Sequence, residues 1–122
     1  MENERDELTE LVIGYAYEVA NTLGCGFLEK VYENALGIEL RQAGVKVEQQ
    51  YPLKVAYKGA IVGDYQADLL IEGRLLVELK AVKAIEDVHL AQCLNYLKAT
   101  GMKTCLLLNF GTPRIGVKRI SL

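Results

Sequence analysis

Two acids and a lysine, Asp68 and Glu78-Leu79-Lys80, stand where opposed positions of one β-hairpin would fall. The run from Ala67 to Lys80 turns at Glu72-Gly73-Arg74, and a hairpin centred on Gly73 sets Asp68 opposite Glu78. Cross-strand partners share a face, and so do residues two apart. One face then reads Leu69, Ile71, Leu75, Val77, Leu79 and is wholly apolar. The other reads Asp68, Leu70, Leu76, Glu78, Lys80, with the charges gathered at the end away from the turn. Opposed carboxylates repel, so folding alone gives no reason for this placement, whereas a divalent cation between them would. Carboxylate oxygens suit Mg²⁺ or Mn²⁺. Lys80 would add a positive group beside the metal. The plainer reading is a solvated face of an edge hairpin, Glu-x-Lys being a common tripeptide.

The next helical stretch, residues 86–100, has an apolar stripe of Leu90, Cys93, Leu94 and Leu97. Beside it lie His89, Gln92 and Tyr96, with Gln92 and Tyr96 one turn apart. Such a pair can hydrogen-bond a substrate phosphate or order a metal-bound water; it can equally be the boundary stripe of a core.

The elements that must hold these groups follow from periodicity. Leu8, Leu11, Val12, Tyr15, Ala16, Val19 and Leu23 mark an amphipathic helix ended by Gly24 and Gly26. A second helix spans Leu28 to Gln42, with Val31, Tyr32, Ala35, Leu36, Ile38 and Leu40 inside and Gly44 beyond its end. Val45 to Tyr57 reads as extended chain, Lys58-Gly59 as a turn, and Ile61 to Ile71 and Leu75–Lys80 as strands. After the third helix, Thr104–Asn109 and Ile115–Ile120 close the chain around Gly111-Thr112-Pro113. The order α-α-β-β-β-α-β-β predicts an α/β (α+β) fold, a mixed sheet flanked by helices, in a single domain over residues 1–122.

Composition narrows the function classes. The 122 residues are 51% hydrophobic and 25% charged, which fits a globular chain and excludes disorder or a coiled coil. No apolar run approaches a membrane span, the start MENERDELTE does not read as a signal peptide, and the three cysteines form no CxxC pair, so a reduced, cytoplasmic setting is expected. The net charge of −2 is unevenly spread. Glu2, Glu4, Asp6, Glu7 and Glu10 stand against Arg5 within residues 1–10, leaving the rest mildly basic. Lys46, Lys54, Lys58, Lys83, Lys98, Lys103, Arg114, Lys118 and Arg119 either line a nucleic-acid backbone groove or are scattered surface charge. Gly24-Cys25-Gly26 follows a helix rather than a strand and lacks a third glycine, against a nucleotide loop. With only one histidine, Cys25–His89 and His89–Cys93 read as structural rather than as a thiol dyad or metal half-site.

Taken together, Asp68, then Glu78-Leu79-Lys80, then Gln92-x-x-x-Tyr96 resembles the PD-(D/E)XK nuclease superfamily, especially its RecB-like and lambda-exonuclease-like branch. Upstream, Gly26-Phe27-Leu28-Glu29-Lys30-Val31-Tyr32 resembles the signature of the GxxExxY protein family, and the likeness covers nearly the whole chain. It implies a restriction-endonuclease-like core over residues 28–109. It also implies Mg²⁺ or Mn²⁺ held by Asp68, Glu78, the Leu79 carbonyl and Glu29. By the same resemblance Lys80 activates the attacking water and offsets phosphate charge, and Gln92 and Tyr96 position. Tyr32, one turn from Glu29, either supports it or packs against the sheet. Ala67 stands where the superfamily name has proline.

The implied function is metal-dependent hydrolysis of phosphodiester bonds in nucleic acid, DNA before RNA. The alternative is a catalytically silent nucleic-acid-binding or protein-interaction module that keeps the fold. A subunit active only with a protein partner is a further possibility. The closing strands suggest unpaired edges and hence a homodimer.

Overall fold

The computed structural model describes residues 6–122; Glu2, Glu4 and Arg5 of the acidic start lie outside them. Asp6 caps the first helix, α1 (Glu7–Leu23), by accepting the Leu8 N–H at 2.9 Å. The same carboxylate takes Arg74 at 2.8 Å, and Glu10 takes Arg119 at 2.9 Å. The acids of this segment thus tie α1 to the sheet. Arg74 holds the Asp6 carboxyl below its ordinary pKa.

Helix α2 (Glu29–Gln42) follows, then strands β1 (Val47–Tyr57), β2 (Ala60–Ile71) and β3 (Leu75–Lys80), helix α3 (Asp87–Thr100), and strands β4 (Thr104–Asn109) and β5 (Gly116–Ser121). The five strands lie in chain order in one sheet, with β3–β4 parallel and the other pairs antiparallel. Both hairpins turn through two left-handed residues, Lys58-Gly59 (φ 51° and 82°) and Glu72-Gly73 (φ 52° and 68°), the geometry that matches strand twist.

Side-chain alternation builds two cores. Leu69, Ile71, Leu75, Val77, Leu79, Leu106 and Leu108 face α1 and α2, where Val12, Ala16, Tyr32, Leu36 and Leu40 meet them. Leu70, Leu76, Cys105 and Leu107 face α3 through Cys93, Tyr96 and Leu97. The hairpin carrying Asp68 and Glu78 is therefore interior, not a solvated edge. Strand β4 is interior too, paired on both sides, so the expectation of an unpaired edge at Thr104–Asn109 is corrected; β1 and β5 are the edges. Val31 and Ile38, expected inside α2, are exposed, because the core needs only one turn-spaced stripe, Tyr32, Leu36 and Leu40. Among the described residues no helix is long and apolar enough to cross a membrane.

Two devices fix the chain where the charged residues sit. Tyr32 stacks on Phe110 at 4.6 Å between ring centroids, donates to the Gly24 carbonyl at 2.6 Å and accepts the Phe27 N–H at 3.2 Å. It pins the α1–α2 connection so that α2 begins at Glu29; of its two expected roles, the packing one is seen. At the same end of the sheet, where the Phe110 N–H donates to the Lys80 carbonyl at 2.8 Å, the chain leaving Lys80 is clamped. Asn109 Oδ1 accepts the N–H groups of Val82 and Gly111, and its Nδ2 donates to the Val82 carbonyl, each at 3.0 Å. Gly111 lies so close to this segment that a Cβ would come within 2.3 Å of the Val82 carbonyl oxygen. Gly111→Ala must push backbone against backbone, and urea unfolding is expected to show a loss of at least ~2 kcal/mol.

Candidate active site

The antiparallel register between β2 and β3 runs Ile71↔Leu75, Leu70↔Leu76, Leu69↔Val77 and then stops. The step expected to set Asp68 opposite Glu78 is replaced by two crossed bonds. The Asp68 N–H donates to Glu78 Oε2 at 2.7 Å, and the Leu79 N–H donates to Asp68 Oδ2 at 2.8 Å. Each carboxylate thus takes a backbone donor that would otherwise join the ladder. Such charge-assisted bonds are short and strong. Pairing of β2 with β1 lapses at the same level. Gln49↔Leu69 and Tyr51↔Ala67 are paired, but Gln50 between them adopts a left-handed φ of 54°. Across this break the inner face switches: Leu69 packs with α1 and α2, Ala67 with α3. Asp68 is the point where the sheet opens on both sides.

Two recesses lie near this level of the sheet. The first, of about 680 Å³, is lined by Glu29, Glu33, Gln50 and Asp68. Glu29, at the start of α2, is exposed. Glu33, one turn deeper, is only 3% exposed. Its carboxylate takes Lys30 at 3.1 Å, Gln49 Nε2 at 2.8 Å and Gln50 Nε2 at 2.9 Å. Gln50 Nε2 also reaches Asp68 Oδ1 at 3.3 Å, bridging the two acids. The second recess, a groove of about 880 Å³, holds Lys80, Gln92 and Tyr96. There Gln92 Nε2 donates to the Tyr96 hydroxyl at 3.0 Å. His89 is instead a capping residue, its Nδ1 accepting the Glu86 N–H at 2.9 Å. Cys93 is buried in the core, as the apolar stripe required, and Cys25 is exposed.

Glu78 lies between the recesses, 4% exposed. The two carboxylates, with oxygen donors on both strands, suit a hard divalent ion. A strand residue points its N–H and C=O to the same edge, so Leu79, whose N–H meets Asp68, turns its carbonyl toward β2 as well. In the conformation seen, the carboxylates are turned to backbone donors, and among the described residues no three His, Cys, Asp or Glu side chains converge as a metal cage.

Residues 6–120 match the PD-(D/E)XK nuclease superfamily. The chain belongs to that superfamily. Solved structures share its fold. One is the crystal structure of SSO0001, with a TM-score of 0.57 and 20% identity over 94% of this chain. Another is an alkaline exonuclease, LHK-Exo, from Laribacter hongkongensis, with a TM-score of 0.54, 12% identity, 98% of this chain covered and 72% of that one. The chain spans about 58% of the length of SSO0001. No curated protein sequence matches it. The superfamily's mixed sheet flanked by helices is the one seen here, in the expected element order.

Glu33 and Gln50 were not singled out from the sequence. Glu33 carried a signal, since it stands four residues after Glu29 on the same helix face. Gln50 carried none, because its position depends on a left-handed residue inside a strand.

Burial and then the neighbouring Asp68 charge push the Glu78 carboxyl up to about 8. Burial, with the charges of Glu33 and Glu29 adding, raises Asp68 as well, against the Leu79 and Gln50 hydrogen bonds. Burial and the charges of Glu78 and Asp68 raise the Tyr96 phenol. In the unfolded chain Glu78 returns to about 4.5. The folded state therefore holds a proton that the unfolded state has released, and stability falls as pH rises from about 4.5 to about 8. Glu78→Gln keeps an acceptor for the Asp68 N–H and removes the charge. In metal-free protein, its melting temperature relative to wild type is expected to rise by ~4 °C or more between pH 5 and pH 8.

Proposed function

We propose that the chain is a metal-dependent nuclease that hydrolyses phosphodiester bonds, with DNA preferred to RNA and a cytoplasmic setting. The observation that carries this reading is the crossed pair of carboxylates at the break in the sheet, Glu78 buried and Asp68 half-buried. Burial and neighbouring carboxylate charge raise both carboxyls, and a divalent ion between them would offset that repulsion.

Asp68 and Glu78 are the residues to hold Mg²⁺ or Mn²⁺, with the Leu79 carbonyl on the same edge and Glu29 reaching in from α2. Glu33, bridged to Asp68 through Gln50, keeps that carboxylate aimed into the recess. When bound, the ion supplies Lewis acidity and an acidified water. Lys80, two residues from Glu78 on the same face of β3, places a fixed positive charge where charge builds on the phosphate, and such preorganised charge is a large term in catalysis. The Gln92–Tyr96 pair presents an amide and a phenol to the same groove and orients the phosphate or the water.

The competing reading is a silent binding module that keeps the fold. It draws on one observation, that the carboxylates face backbone donors rather than one another. Incubation with linear and circular, single- and double-stranded DNA and with RNA, in Mg²⁺ and in Mn²⁺, separates the two. Metal-dependent cleavage is expected, reduced at least ~100-fold in Lys80→Ala and abolished in Glu78→Ala. No cleavage by folded wild type under any of these conditions would favour the silent module. A second expectation concerns the ion alone. Mn²⁺ raises the melting temperature of wild type, and Asp68→Ala loses the rise; an equal rise in that variant would place the ion elsewhere.

A further inference from the structure

The groove beside Lys80 is larger than the chemistry of one phosphate requires. One wall is α3, and the other is the β1–β2 hairpin, which brings Lys54 and Tyr65 to face Gln92, Tyr96 and Lys98. Among the described residues its lining holds three lysines, Lys54, Lys80 and Lys98, and no carboxylate. The recess on the other side of Asp68 holds Glu29 and Glu33. That recess also holds Lys30, paired with Glu33. Net charge is thus sorted across the break in the sheet, acids in excess on one side and lysines without carboxylates on the other.

Tyr65 is the unusual member. It is 51% exposed, yet its ring is placed rather than loose. It lies 6.0 Å from the Tyr96 ring at an inclination of 48°. It also leans over Gly63, where a Cβ would meet its Cε2 at 2.9 Å. A half-exposed aromatic face beside three lysines offers a stacking surface next to phosphate contacts, the combination that single-strand nucleic-acid grooves use. The volume of about 880 Å³ falls within the roughly 300–1,000 Å³ of small-ligand pockets, room for a short stretch of one strand.

We infer that this groove seats one unpaired nucleic-acid strand on its way to the Lys80 end, with a base stacked on Tyr65 and phosphates on Lys54 and Lys98. The choice of nucleic acid as occupant rests on the nuclease reading; the assignment of Tyr65, Lys54 and Lys98 rests on the groove. Lys54 is shared with Asp64 at 3.1 Å, both exposed, so a phosphate competes there with a weak surface pair.

Fluorescence anisotropy of a short labelled oligothymidylate, in EDTA so that no cleavage occurs, tests this. Wild type is expected to bind the single strand more tightly than a duplex of equal length. Tyr65→Ala should weaken binding about 10-fold with Tyr65→Phe close to wild type. Lys98→Glu should lower the slope of log K against log salt by ~0.7 or more, and Lys118→Glu on β5 should change neither. Tyr65 and Lys98 are exposed, so both variants should melt as wild type does. Unchanged binding in Tyr65→Ala and Lys98→Glu, equal weakening by Lys118→Glu, or no binding at all would overturn the groove. The two readings fail separately. Metal-dependent cleavage with unaltered groove variants rejects the groove alone. Strand binding that needs Tyr65, without cleavage in Mg²⁺ or Mn²⁺, keeps the groove and rejects the nuclease.

Discussion

The crossed bonds between Asp68 and Glu78 are the constraint on which the rest of the molecule turns. Each carboxylate accepts a main-chain N–H from the other's strand, at 2.7 Å and 2.8 Å, so the ladder ends where the acids begin. An ordinary ladder pair would have set both side chains side by side on one face, where two carboxylates repel. Here the acids become part of the backbone pairing, Glu78 buried and Asp68 half-buried. The cost is visible in Glu78, whose carboxyl burial pushes up to about 8. A fold that sought only stability would set an apolar pair at this level, as the chain does one and two steps away at Leu69↔Val77 and Leu70↔Leu76.

The surrounding structure serves to keep that break in place. Tyr32 against Phe110 fixes where α2 starts, and with it the height of Glu29 and Glu33 above Asp68. Asn109 and Gly111 clamp the segment that leaves β3 and so fix Lys80. The Gln50 bridge ties α2, β1 and β2 together through a single amide. These contacts come from five different elements. The site belongs to the packing of the two helical layers on the sheet more than to any one motif.

Much of this was legible in the sequence, and the reasons differ by element. The helices announced themselves by apolar spacing and glycine ends. The Gly73 hairpin gave its register because a wholly apolar face leaves one alignment that buries it. The pairing of Gln92 with Tyr96 followed from helical spacing alone. What stayed hidden depends on tertiary geometry. The β1–β2 ribbon switches face at Gln50, and no local pattern marks a left-handed glutamine. The interior position of β4 is set by the crossover through α3, not by its own composition. Glu33 looked like one more helix-surface acid until the sheet covered it. The acids of residues 1–10 read only as an uneven charge distribution, yet Asp6 and Glu10 are fasteners to Arg74 and Arg119.

The central claim is that the Asp68–Glu78 clasp is the seat of a divalent ion. Backbone ¹H–¹⁵N spectra during an Mg²⁺ titration test it most directly, because the Asp68 and Leu79 amides report on the two bonds that must yield when their acceptors turn to a cation. The account predicts saturable shifts centred on these two amides, with those of Gln50 and Lys80 following. Saturable shifts elsewhere with the Asp68 and Leu79 amides unmoved, or no shifts at millimolar Mg²⁺, would contradict it.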